Sequence, residues 1–509
     1  MGFIKAMEKN EKKLTENGAV GFATEGHKIV DLNFAIPSFR TKVDTALFEE
    51  ALNEDKVLTL KWLLFLRDVR GGVGERKSFR EFMVYLAKVH EDIAVKLISE
   101  VDTAEYGRWD DILDIYFNTK SKKVQLAIRS KVIGQFIDDM KNYKEGKPIS
   151  LLVKWMPSVN ASSVETVKRG HIIKKWFEFS SKEYRKVLSK LRKHIDIVES
   201  KMSANEWNKI EYSAVPSKAN LNYGCAFMKH DGKRRTEYLE SLKKGDTKIN
   251  AQAMFLHDIV HKYGAFNYGR FNGKVDETLE ALWNAQDKVE GFKNTLVVRD
   301  GSGSMTVTIG NSNVSALDVA SAISLYCAQN NSGEFKNKFI TFSSIPQMVT
   351  VNSDTLFGNL NIMRRYDDCS NTNIEATFDL ILDTAVKNHM SQEDMPNTVL
   401  IISDMEWDSV SCDGWSWGKR TPKVNKALFE VIRERFEEKG YKLPKLVFWN
   451  VNSRTGTIPL TENEMGVILL SGFSKNLMQL VMSSELDPYK ALVQQLNVPR
   501  YAVIDKVFG

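Results

Sequence analysis

The chain has 509 residues, 43% of them hydrophobic and 27% charged. That is too long for one ordinary core and too evenly mixed for a disordered or fibrous chain, so two or three globular domains are expected. No run of roughly eighteen apolar residues occurs, and the first residues lack both a secretory apolar core and the Ser or Thr of a myristoylation site. An integral membrane or secreted protein is therefore not expected, and no membrane partner is; the cytoplasm is the expected location. Cys225, Cys327, Cys369 and Cys412 stand far apart with no CxxC pair, which suggests neither a disulfide framework nor a thiolate zinc site.

Up to about Lys288 the apolar residues recur at three and four, as in LFEEALNEDKVLTLKWLLFLRDV (47–69) and FREFMVYLAKVHEDIAVKLISEV (79–101). These read as amphipathic helices, and similar patterns follow along this half with few strand signals. Stacked helical hairpins result. No fixed sequence period is present, so a HEAT-like array is inferred from helix density alone.

The net charge of +6 is unevenly spread. Residues 151–250 hold 21 Lys and Arg against 11 Asp and Glu, an excess larger than that of the whole chain, which leaves the remainder net acidic. The densest stretch runs from Lys168 to Lys193. Lys168, Arg169, Lys174, Lys175, Arg185, Lys186, Arg192 and Lys193 are its candidate polyanion-binding residues, with Lys182 and Lys190 between them. Trp176, Phe177, Phe179 and Tyr184 are interleaved with these charges and suit either base stacking or a core.

After about Gly291 short apolar runs alternate with helical patterns: TLVVR (295–299), FITF (339–342), TVLIIS (398–403), KLVFWNV (445–451) and GVILLSG (466–472). This predicts a doubly wound, parallel α/β sheet, with a domain change at about 290 that divides the chain into 1–290 and 291–509. Ligands of such sheets sit at the carboxyl ends of strands. The loop after the first run is Asp300-Gly-Ser302-Gly-Ser304, Thr372 lies in a later loop, and Asp404 follows TVLIIS. Glycines between the serines are expected to let the backbone turn both hydroxyls inward. Ser302, Ser304 and Thr372 as neutral oxygens, with Asp300 and Asp404 as charges, suit a hard divalent cation such as magnesium and leave a position for a partner's acid.

The order Asp-x-Ser-x-Ser, Thr, Asp at strand ends resembles the metal-ion-dependent adhesion site (MIDAS) of von Willebrand factor A domains. Arg299 before Asp300 and Met405 after Asp404 depart from that pattern. The wider layout resembles the Ro-type RNA-binding proteins, in which a helical-repeat (TROVE) module is joined to an A domain; the stretches that carry this include FLHDIVHKYG, DGSGSM, FITFSS, SNTNI, IISDMEW and VFWNV. It resembles more closely a family of uncharacterised proteins of the same layout, through FLRDVRGGVGERKSFR (65–80), KMSANEWNKIEYSAVPSKA (201–219) and SDMEWD (403–408).

Other motifs carry less. Gly71-Gly-Val-Gly-Glu-Arg-Lys77 lacks the preceding strand and the Lys-Ser/Thr ending of a phosphate loop, and reads as a helix connection whose Arg67, Arg70, Arg76 and Arg80 are solvated or paired with Asp68 and Glu75. His257 and His261 stand one helical turn apart without a third zinc ligand, and read as a packed or capped pair. Ser302 and Ser304 do not form a nucleophile elbow. For a metal-assisted hydrolase acting on nucleic acid, Glu406 or Asp408 is the available general base.

The resemblance and the local charge together imply a non-enzymatic ribonucleoprotein component. Its basic helical module would bind single-stranded or structured small RNA, and its A domain would hold magnesium for a second partner. The alternative is an assembly scaffold, such as a component of a phage or other large particle, that grips an acidic residue through the metal.

Overall fold

The computed structural model describes residues 7, 9–264, 266, 273–342, 345–367, 373–408 and 426–509. They form two compact units: Met1–Trp62 with Ala251–Ala502, and Leu63–Asn250 with Val503–Gly509. The change of texture near residue 290 thus marks where the sheet begins and not where the units divide. The described residues up to Trp62 and the helices just before the sheet belong to the α/β unit.

In chain order, two short strands β1 (Lys12–Leu14) and β2 (Val20–Phe22) are followed by helices α1 (Lys28–Phe34) and α2 (Thr45–Glu54). The helices α3 (Lys77–Val89), α4 (Glu91–Glu100), α5 (Trp109–Asn118), α6 (Lys122–Lys144), α7 (Val164–Trp176), α8 (Ser181–His194) and α9 (Ser217–Lys244) make up most of the second unit. Helix α10 (Leu256–Tyr263) returns to the first. Then come β3 (Thr295–Asp300), α11 (Ala316–Asn330), β4 (Lys338–Phe342), β5 (Gln347–Thr350), α12 (Ile374–Lys387), β6 (Thr398–Ser403), α13 (Leu428–Glu438), β7 (Lys445–Asn450) and β8 (Val467–Ser471).

The six-stranded sheet has the order β5-β4-β3-β6-β7-β8 and is parallel except for β5, which pairs antiparallel with β4. All five expected runs are strands. The edge strand β5 was not expected, because three of its four residues are exposed and only Val349 is buried. The interior strands β3 and β7 and the edge strand β8 are buried at every residue, as strands covered on both faces must be. Helix α11 is buried from Ala316 to Ala328, which its nearly continuous apolar and small-residue sequence permits.

The N-terminal hairpin of β1 and β2 departs from an all-helical first half. It bonds to the loop after β7, with Phe22 N donating to Ile458 O at 2.7 Å and Ile458 N returning the bond at 2.9 Å. The end of α1 follows it onto the same edge of the sheet: the Phe34 carbonyl accepts from Asn450 Nδ2 at 2.7 Å and Ser471 Oγ at 2.6 Å.

In the helical unit, consecutive helices pack against one another, and the 71–77 connection is structural. A side chain at Gly72 would stand 2.1 Å from the Phe65 carbonyl. The nearby arginines pair with α5 and the turn before it: Arg67 holds Asp111 at 2.7 Å, Arg80 holds Asp110 and Asp111 at 2.7 Å each, and Arg70 reaches Glu105, while its amide donates to Asp68 at 2.9 Å. His261 is capped by Asp318 at 2.9 Å, and His257 is buried and stacked on Phe255. Among the described residues no helix is long and apolar enough to cross a membrane.

One buried acid outside the sheet makes stability depend on pH. Glu25 is 1% exposed, and burial, with the charges of Asp487 and Asp31 against that of Lys9, pushes its pKa from 4.5 up to about 8. Between those values the folded chain holds a proton that the unfolded chain releases. This contribution is therefore most favourable below pH 4.5 and is lost as the pH rises to about 8, by up to about 1.4 kcal/mol per pH unit. Glu25→Gln is expected to remove that slope, so that urea stabilities of variant and wild type diverge in favour of the variant as pH rises. Parallel profiles would contradict it.

Candidate functional site

Adjacent parallel strands bring two carboxylates together. Arg299 on β3 lies beside Ile402 on β6, so Asp300 and Asp404 leave neighbouring strand ends, and both are fully buried. Asp300 accepts from Ser403 Oγ at 2.6 Å and from the Ser302 amide at 2.9 Å, which ties β3 to β6. Ser302 and Ser304 hydroxyls stand 3.1 Å apart, the first beside Asp300 and the second beside Asp404. Four of the five expected metal residues therefore converge. Thr372 lies outside the described residues.

The serines are not aimed by glycine freedom as expected. Neither Gly301 nor Gly303 adopts a positive φ. The loop is turned by a 3-10 helix, Gly303–Thr306, whose Met305 is fully buried and anchors it from below. The conformation that glycine favours occurs instead at Met405, with φ 62°, where a buried methionine takes the left-handed backbone just after Asp404.

Arg299, the other departure from the motif, points away from the carboxylate pair. Its guanidinium is buried, donates to Ser321 Oγ at 2.8 Å and pairs with Asp367. The cation that does reach the site is Arg454, in the loop after β7: its Nη1 is 3.1 Å from Asp404 Oδ2 and its Nε pairs with Glu16 in the hairpin turn. Nothing in the sequence around Arg454 distinguishes it, because its role depends on a loop from a third strand.

Burial, and then the neighbouring charge of Asp404, pushes Asp300 up to about 7. Burial also raises Asp404, against the opposing pull of Arg454. Two buried acids with one cationic partner among the described residues are short of positive charge. Hydroxyl and carboxylate oxygens are also the donors that a hard divalent cation takes. The residues thus fit a divalent ion, which Ser302, Ser304 and Asp404 would hold, with Asp300 beside them.

Glu406 is not free to act as a base. It is fully buried, and its carboxylate accepts from the amides of Glu16, Arg454 and Thr455 at 2.7, 2.7 and 2.8 Å, and from the hydroxyls of Ser453 and Thr455 at 3.1 Å. It locks the hairpin turn and the loop after β7 onto the loop after β6, and so it positions Arg454.

The basic stretch forms helices α7 and α8. Lys168, Lys175, Arg185, Lys186 and Lys193 are exposed, as are Lys182 and Lys190. Arg192 differs from the expectation: its guanidinium donates to Val153 O and Ser158 Oγ at 2.8 Å and also to Met156 O, so it fixes the preceding turn. Arg169 is held by Glu165 and Asp114, and Lys174 bonds Ser181. Trp176 and Tyr184 are core residues. Phe177 and Phe179 are half-buried and stacked 5.7 Å apart, and with Phe136, Ile137 and Met140 they line an open groove of about 620 Å³.

Two family models match parts of the chain: a domain of unknown function, DUF7788, over residues 294–497, and another, DUF2828, over residues 162–297. Uncharacterized protein L728 of Acanthamoeba polyphaga mimivirus is 28% identical over 530 aligned residues, covering 97% of this chain and 88% of that protein. Among solved structures, the RO (RSR) protein of Deinococcus radiodurans is similar with a TM-score of 0.42 at 12% identity, covering 94% of this chain and all of that one.

Proposed function

We propose that the protein is a non-enzymatic binding scaffold, in which the α/β unit holds a divalent cation, magnesium by its oxygen donors, and the helical unit binds RNA. The observation that carries this reading is the pair of hydroxyls, 3.1 Å apart, between two buried carboxylates at adjacent strand ends. A bound ion would supply an open coordination position for a carboxylate of a protein partner. The chain's own groups orient and neutralise. Ser302 and Ser304 bond to each other beside the acids, and Glu406 is committed to backbone and hydroxyl donors.

The RNA half of the reading rests on the exposed lysines and arginine of α7 and α8 and on the likeness of the motifs to Ro-type proteins. Contacts of this kind go to phosphates and are salt-sensitive, with a slope of roughly −0.7 per single-strand phosphate neutralised. In mobility-shift titrations at several salt concentrations, Lys175→Ala with Lys186→Ala is expected to flatten that slope. Phe177→Ala with Phe179→Ala is expected to weaken binding about 5-fold or more at unchanged slope, because stacking is not electrostatic. No RNA retention by the wild type at low salt would remove the RNA reading.

A further inference from the structure

The guanidinium of Arg454 occupies one side of the acid that would hold the ion. Its Nη1 lies 3.1 Å from Asp404 Oδ2, while its Nε is held by Glu16 and its backbone amide by Glu406 at 2.7 Å. Arg454 is about one-third exposed, whereas Asp404 is fully buried, so the arginine covers the acid from the solvent side. We propose that Arg454 is the site's built-in counter-cation, and that a divalent ion binds by taking Asp404 from it. This rests on the divalent-cation reading above.

The geometry makes the exchange local. The Arg454 backbone is fixed by the Glu406 carboxylate, so the residue cannot leave with its loop, but its side chain already has a second acceptor in Glu16. Rotation about the side-chain torsions moves Nη1 off Asp404 and leaves the pairing with Glu16 in place. Two positive charges on one buried carboxylate repel each other, so ion and guanidinium compete for it. Arg454 thereby sets how tightly the site takes a cation, and Glu16 sets how readily Arg454 yields. The displaced guanidinium stays beside the site, where an anionic ligand on the ion would meet a second positive group.

The test is calorimetric titration of the full chain with Mn2+ and with Mg2+, on the wild type, Arg454→Gln, Arg454→Lys and Glu16→Gln, with unfolding temperature as a check of fold. Arg454→Gln is expected to tighten Mn2+ binding roughly 10- to 100-fold, as loss of a competing charge at a buried acid implies. Arg454→Lys should fall between the two, and Glu16→Gln should weaken binding, because the guanidinium then rests on Asp404 alone. If Arg454→Gln does not fold, the other two variants carry the comparison. Wild-type binding that Arg454→Gln leaves unchanged or weakens would overturn the role of Arg454 and leave the cation site standing. No Mn2+ binding by any variant would remove the cation reading, and this proposal with it. Binding seen only in Arg454→Gln would support both.

Discussion

Replacing Glu406 by alanine is expected to cost about 3–5 kcal/mol, as removal of one member of a buried charged network does, and to release the N-terminal hairpin from the sheet. The fully buried carboxylate is the shared acceptor of three backbone amides from two distant segments, the turn at Glu16 and the loop at Arg454 and Thr455. Alanine leaves all three donors without that acceptor, and each buried unsatisfied group costs about 1–3 kcal/mol. Urea unfolding would give the loss, and hydrogen exchange at those three amides would locate it. Unchanged protection in Glu406→Ala would show that the hairpin is held by its β-bridges alone. Glu406→Gln keeps one acceptor oxygen and is expected to lose less.

The second large effect concerns the cation. Saturating magnesium is expected to stabilise the wild-type chain, by about 2.7 kcal/mol at a hundred times the dissociation constant. Asp404→Ala should abolish this gain, since it removes the carboxylate that carries most of the attraction, and Thr372→Ala should reduce it. Asp300→Ala should also reduce it, at a cost to the fold that the sequence did not reveal: Asp300 is fully buried and its bond to Ser403 joins two central strands. Thermal unfolding with and without magnesium separates the cases. An equal magnesium shift in wild type and Asp404→Ala would place the ion elsewhere.

The fold class was readable because its signals are local. Strand runs such as TVLIIS and KLVFWNV are too short and too apolar to be anything but buried strands. Helix periodicity from Leu47 onward needs only neighbouring residues. The hairpin at residues 12–22 was missed for the same reason. Its strands are three residues each, and their pairing is stabilised by Ile458, more than four hundred positions away.

For the site, the sequence by itself determined which oxygen donors stand at the strand ends. Asp300, Ser302, Ser304 and Asp404 were identifiable as a cluster from residue type and order, because each follows a strand run or lies in the loop after one. The basic character of residues 168–193 was likewise a property of composition. Only tertiary structure decided what those groups face. It took Arg192 out of the exposed set by surrounding it with carbonyls, and it turned Arg299 away from the acids while bringing Arg454 onto Asp404. The reason is physical: the charge and donor type of a residue belong to its own atoms, whereas its partners are set by which distant segments the sheet stacks above it.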